Sequence, residues 1–447
     1  MATAQDIYNL RRAERNRMLA GRSPLVALLD GLAPGDYFSQ FNVLQQLTHL
    51  LIISPSAKAI CNKYSAGCVW LIDATYKTNK YGLPLLHIIG VTATNSTFTF
   101  AYCFMRNETL ADYLWAMRHV KEVFQGYGLQ HAVLTFVTDR ELALMSALSD
   151  TFPNASCLLC RWHINKNILA KQRTAFQTSE AWQEFNQTWN ELVAATTMAD
   201  FETQLAVMHD RFPAASMSYL ETTWLVYKER FVTAFLRNKH HYGHVTTSRV
   251  ESAHASLKKW ISVSTGDLLS VDSAVRLACE GQLAVVVQQN AKQRAIVNMQ
   301  LGTMFAEVMG KISVAALRGA HRQYQQRLTN DGNCQGLLTS TMGFPCSHAF
   351  RYRLAPLAVN DFDKHCWLVQ PTPTPTPTPI EVEVVPVGIE AALQRIAEDY
   401  NDAVNHRKRL LLDYVLAVLE TNMNDPVQVR TRGRPTRSTQ RVPSQFE

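Results

Sequence analysis

The stretch Val69-Trp70-Leu71-Ile72-Asp73-Ala74-Thr75-Tyr76, followed by Lys77-Thr78-Asn79-Lys80, decides how the chain is read. Its apolar run predicts a buried strand that ends on a single carboxylate. Such a strand, with Lys77 and Lys80 beside its end, can place a metal ligand where a polyanion approaches. Taken alone, the same Asp73 also fits a turn or helix cap.

Working outward, residues 85 to 92 and 97 to 105 read as two further strands, with Asn95-Ser96 as the turn between them, so an antiparallel meander is expected. Residues 108 to 125 show helical spacing through Leu110, Leu114, Met117 and Val120, and 131 to 137 read as a fourth strand ending on Thr138-Asp139. A second carboxylate therefore stands at the end of a second buried strand. Residues 141 to 152 read as a helix, 155 to 159 as a short strand, and 163 onward as a helix again. Strands that are first antiparallel and then alternate with helices indicate an α/β fold, a mixed sheet with flanking helices. Residues 175 to 240 are helical by period, with Trp182, Phe185, Trp189 and Leu192 on one stripe, and read as an all-α insertion.

The 447 residues exceed one typical core, so several units are expected: a helical N-terminal region over 1–60, the sheet domain over 61–265, a helical region over 266–330, a Cys/His segment over 331–368, a Pro/Thr linker over 369–387, a helix over 388–425 and a basic tail over 426–447. The strict Pro-Thr alternation from Pro371 to Pro379 predicts an extended linker, and the tail is expected to be disordered when free. With 47% hydrophobic and 18% charged residues and no apolar run long enough to span a bilayer, an intracellular protein without a membrane partner is expected. Nine cysteines in that setting argue for thiols or a metal site over disulfides. The formal net charge of +7 allows a nucleic-acid partner without demanding one.

Three acids stand out. Asp73 and Asp139 at strand ends and Glu251 on a helix would suit two hard cations such as Mg²⁺ or Mn²⁺, which take a few carboxylates and leave positions open for phosphate and water. Each acid has a local competitor. Ser248-Arg249-Val250-Glu251 fits a capping box, and Thr138 or Asp139 fits the N-cap of the following helix.

The motifs Asp73-Ala74-Thr75-Tyr76-Lys77-Thr78-Asn79 with Gly82-Leu83-Pro84-Leu85-Leu86, Thr138-Asp139-Arg140-Glu141, Cys160-Arg161-Trp162-His163 with Asn167, and Ser248-Arg249-Val250-Glu251-Ser252-Ala253-His254 occur in that order. Together they resemble the transposase domain of Mutator-like elements, over roughly residues 60 to 265. The resemblance implies an RNase H-like fold and an Asp73, Asp139, Glu251 triad that binds divalent metal for DNA strand cleavage and transfer. It also implies a supporting role for Cys160 and His163 in the active site, with double-stranded DNA (terminal repeats and target) as partner and a homo-oligomer assembled on it. Cys334, Cys346 and His348 resemble a SWIM zinc finger that lacks one ligand, with His365 or Cys366 as a candidate fourth, so Zn²⁺ is a possible second metal. Arg432-Gly433-Arg434-Pro435 resembles an AT-hook, whose arginines would enter a narrow minor groove. Lys77, Lys80, Arg140, Lys166, Lys258 and Lys259 are candidate contacts to the DNA backbone. A nuclear location follows from these readings. The alternative is a catalytically inactive, domesticated DNA-binding transcription regulator that keeps the fold.

Overall fold

The computed structural model describes residues 4–368 apart from 65–68, 130–133, 247, 262–264, 297–300 and 330–335, together with 425–428 and isolated positions between 394 and 412. The elements run α1 (Ala4–Leu19), α2 (Pro24–Asp30), β1 (Tyr37–Phe41), β2 (Leu47–Ile53), α3 (Ala57–Lys63), β3 (Val69–Thr75), β4 (Leu85–Val91), β5 (Thr97–Met105), α4 (Leu110–Gly126), β6 (Thr135–Thr138), α5 (Leu142–Thr151), β7 (Ser156–Leu159) and α6 (Arg161–Gln172). They continue with α7 (Ser179–Ala194), α8 (Met198–Arg211), α9 (Ala214–Thr223), α10 (Ser248–Ile261), α11 (Leu268–Ala295), α12 (Val314–Gln325), α13 (Leu337–Met342) and α14 (Ser347–Phe350).

One seven-stranded sheet orders the molecule as β1-β2-β5-β4-β3-β6-β7. β3, β4 and β5 form the expected antiparallel meander, and β6 and β7 add parallel to β3. This mixed sheet with helices on both faces is compatible with an RNase H-like transposase fold. Alternation along β3 sends Trp70 and Ile72 into a core beneath α3, α4 and α5. Val69 and Leu71 face the other way, into a core shared with Val250 of α10. Trp70 is the hub of the first core, its ring 4.8 Å from Phe100 and 4.7 Å from Phe124. Gly90 is required there, because a Cβ at that position would lie 2.3 Å from the Phe98 ring.

The N-terminal region departs from expectation. Residues 1–60 are not wholly helical, since β1 and β2 form an antiparallel hairpin that extends the sheet by pairing β2 with β5. The turn explains the geometry: the Asn42 side-chain oxygen accepts the amides of Leu44 and Gln46, both at 2.9 Å, and Gln45 takes a positive φ of 56°. The helical insertion matches its sequence reading. Phe185, Trp189 and Leu192 are buried in one core with α8 and α9 residues, and Trp182 packs against it. The Pro/Thr linker and most of 388–425 lie outside the described residues.

Candidate active site

Asp73 belongs to the side of β3 that carries Val69 and Leu71. β3 and β6 are in parallel register with Val69 opposite Thr135 and Leu71 opposite Val137. Continuing that register by two residues in each chain brings Asp73 level with Asp139, at the same end of neighbouring parallel strands and on one sheet face. Adjacent strands lie about 4.8 Å apart, so the two carboxylates start from backbones one strand spacing apart. Asp73 is 7% exposed and Asp139 is half-buried.

Helix α10 packs over this face. Arg249 reaches from its first turn to the carbonyl of Asn95 in the β4–β5 turn, Val250 enters the core with Val69 and Leu71, and Leu257 joins a second core with Leu85 and Tyr102. Between them, His254 Nδ1 lies 3.7 Å from Asp73 Oδ2. Its ring stacks 5.4 Å from that of His87, whose residue is the register partner of Asp73 on β4. Burial, with His254 adding to it, holds His87 well below the usual imidazole range, so the ring stacked behind His254 is neutral. Sequence reasoning passed over His87, an apolar-strand histidine whose only signal was its place opposite the first acid. Position 251 lies one helical turn before His254 on the same flank of α10. The side chains of Ser248 and Glu251 lie outside the described residues, and with them the capping-box alternative.

The caps resolve the competitor for Asp139. Helix α5 is capped by Glu141, whose carboxylate accepts the Ala143 amide at 3.3 Å, so neither Thr138 nor Asp139 serves as its N-cap. Around the open end of the strands, Glu108 accepts hydrogen bonds from Tyr76 and from Tyr113, the latter at 3.1 Å. Burial raises the Glu141 carboxyl above its ordinary range, and Asp139 and Glu108 add to the rise.

Cys160 and His163 have a local explanation. Cys160 is the N-cap of α6, its sulfur accepting the His163 amide at 3.4 Å. Arg161 between them ties the helical insertion to the sheet, donating to Phe231 O and Thr233 Oγ1, both at 2.8 Å.

The candidate DNA contacts divide into two groups. Lys77, Lys80, Lys166, Lys258 and Lys259 are exposed, with Lys80 4.8 Å over the Tyr81 ring and Lys166 4.4 Å over Trp162. Arg140 is exposed as well, but its guanidinium donates to Thr223 O at 3.1 Å and sits 5.0 Å over Trp224, so it is engaged with the insertion. Arg432 and Arg434 lie outside the described residues. The chain just before them, at Asp425, lies near Tyr81 in the loop that follows β3, where burial and then the Asp425 carboxylate push the Tyr81 phenol up.

In the Cys/His segment, Cys334 lies outside the described residues, while Cys346 and His348 flank the start of α14. Of the two proposed fourth ligands, the Cys366 thiol donates to Gly343 O at 3.5 Å, while the His365 ring stacks 4.1 Å from Tyr242 and its buried Nδ1 has no hydrogen-bond partner. A core including Phe305, Phe344, Phe350 and Trp367 holds the segment. Among the described residues, no group of three His, Cys, Asp or Glu side chains is placed to hold a metal ion. Nor is any described helix long and apolar enough to cross a membrane.

Residues 69–167 match the MULE transposase domain, a span holding both strand-end acids and the Cys160–His163 pair but ending before position 251. The chain is 25% identical over 273 residues to Protein FAR1-RELATED SEQUENCE 5 of Arabidopsis thaliana, covering 59% of this chain and 33% of that protein. It is 27% identical over 135 residues to Protein FAR1-RELATED SEQUENCE 6 of Arabidopsis thaliana, covering 30% of this chain and 18% of that protein. A third similarity, 23% over 322 residues and 65% of this chain, is to PKS-NRPS hybrid synthetase cheA of Chaetomium globosum, of which it covers 7%. The chain thus spans a third or less of each of these relatives. Over residues 69–167, about a fifth of its length, the chain is similar to the MULE transposase domain.

Proposed function

We propose that the protein is a DNA transposase that cleaves and transfers DNA strands, with Asp73, Asp139 and Glu251 as its metal-binding acids. What supports this reading is the parallel register of β3 and β6, which, extended by two residues, would put Asp73 level with Asp139 beneath the helix that bears position 251. Two oxygen donors one strand apart suit a hard divalent cation, and Glu251 would complete the set. Bound there, Mg²⁺ or Mn²⁺ would neutralise charge on the phosphate and activate the attacking oxygen.

The chain's own residues do the rest. The β-sheet fixes the spacing of the acids, and Arg249 and Val250 fix α10 over them. Exposed Lys77 and Lys80, in the loop leaving β3, would meet the backbone phosphates of double-stranded DNA, with Lys166, Lys258 and Lys259 as further contacts. The basic residues Arg432 and Arg434 would add minor-groove contacts, and a homo-oligomer on DNA in the nucleus would bring two ends together. The second reading, a regulator that binds DNA without cutting it, is favoured by one feature: Asp73 is buried and faces His254.

Incubating the purified chain with duplex carrying the element's terminal repeats, in Mg²⁺ or Mn²⁺ and in EDTA, separates the two readings. Nicked or joined products only with metal are expected. Retarded duplex without products under any metal would establish the regulator instead.

A further inference from the structure

A cavity of about 490 Å³ opens beside β7, the last strand of the sheet, where the helical insertion lies against it. Ser149 of α5, Ser156 and Cys157 of β7, and Arg230 and Lys239 of the insertion line it. It is remote from the strand-end acids. In the parallel register of β6 and β7, Thr135 stands opposite Ser156 and Thr138 opposite Leu159, so the cavity lies where these strands begin and Asp139 follows where β6 finishes.

Both cations are fixed by their chain neighbours. Phe231 O, next to Arg230, accepts from Arg161, and His240 O, next to Lys239, accepts from Thr135 Oγ1, each at 2.8 Å. Their charges are not balanced there. Among the described residues the half-buried Arg230 guanidinium makes no hydrogen bond or ion pair, and the half-buried Lys239 ammonium donates to a neutral acceptor, Glu229 O. Glu229, the only acid in the lining, is exposed and forms an ion pair with neither.

The two charges act on the same place. Burial pushes the Lys239 ammonium down, with Glu229 opposing and Arg230 adding to the fall, while Arg230 and then Lys239 oppose the rise that burial imposes on the Cys157 thiol. Like charges brought together out of water are unfavourable without a counter-ion. Charge and size describe that counter-ion. A phosphate monoester carries close to two negative charges on three acceptor oxygens, which suits a guanidinium fork and an ammonium together, whereas a backbone phosphodiester carries one. The cavity is of the size that holds small molecules, so an organic group fits behind the phosphoryl.

We propose that this cavity binds the phosphate monoester of a small molecule, with Arg230 and Lys239 on its oxygens and Ser156 beside them. The site goes beyond the cleavage reading and does not depend on it.

The test reads Cys157, the one described cysteine that is not buried. The full chain in EDTA is alkylated with iodoacetamide, and the Cys157 peptide is followed by mass spectrometry in inorganic phosphate and in potassium chloride of equal ionic strength. Phosphate is expected to slow the modification and chloride to leave it unchanged. Arg230→Gln and Lys239→Gln should each raise the phosphate concentration needed by roughly tenfold or more, and Lys239→Arg should keep the protection, which separates loss of charge from loss of fold. The same rate with and without phosphate, equal protection by chloride, or full protection in both glutamine variants overturns the proposal. Protection by duplex DNA and not by phosphate also overturns it, marking a backbone contact instead. No metal is present, so this result is read separately from the cleavage assay.

Discussion

Cys160 has a local task besides its place in the Cys160–His163 motif. Its sulfur caps α6 by accepting an amide, a task that a serine hydroxyl performs and an alanine methyl cannot. Cys160→Ser is therefore expected to keep the unfolding free energy close to wild type, and Cys160→Ala to lower it by about 1 kcal/mol in denaturant titration. Equal losses in both variants would mean that the thiol itself is needed. The strand-end acids were legible in the sequence because an apolar run that stops on a carboxylate is a local signal. The true cap of α5 was not, since Thr138 and Asp139 are the favoured cap types and only the backbone path selects Glu141. His87 was also illegible, because its meaning comes from strand pairing with Asp73.

Among the elements, β3 to β5, β7 and the insertion helices follow from period and turn residues. The β1–β2 hairpin was missed because Leu47–Ile53 is nearly continuous in apolar residues, a pattern short helices and buried strands share, and only pairing with β5 decides between them. The insertion joins the sheet through Arg161, a half-buried residue whose guanidinium pKa desolvation lowers to about 10. Its two hydrogen bonds to the 231–233 segment leave both acceptors without their donor if it is removed. Arg161→Met is expected to cost about 1–3 kcal/mol in unfolding free energy and to open the 224–246 region to limited proteolysis before the sheet. Wild-type protease resistance in that variant would show that apolar packing alone holds the insertion.

At the scale of the whole molecule, the sheet and the Cys/His segment meet through residues 241–244, and buried imidazoles lie along the join. Burial holds His241 and His365 down to about 4, with Arg161 and His240 lowering His241 further and Asp363 partly opposing the shift at His365. Unfolded, each would titrate near 6.5, so below that pH the unfolded chain takes up protons that the native fold refuses. Stability is thus complete above pH 6.5 and falls as pH drops toward 4, by up to about 1.4 kcal/mol per pH unit for each histidine. Denaturant unfolding at pH 7.5, 6 and 5 should show this slope, and the double variant His241→Asn, His365→Asn should make it shallower, with buried His87 and His244 keeping the remainder. A flat wild-type profile would contradict the burial account.

The parallel register of β3 and β6, extended to Asp73 and Asp139, is the centre of the functional account. Its most direct test is DNA cleavage in Mg²⁺ by the near-isosteric variants Asp73→Asn, Asp139→Asn and Glu251→Gln, each first shown to unfold like wild type. The account predicts that every one loses at least roughly two to three orders of magnitude in rate while still binding duplex. Cleavage by all three at the wild-type rate would contradict it.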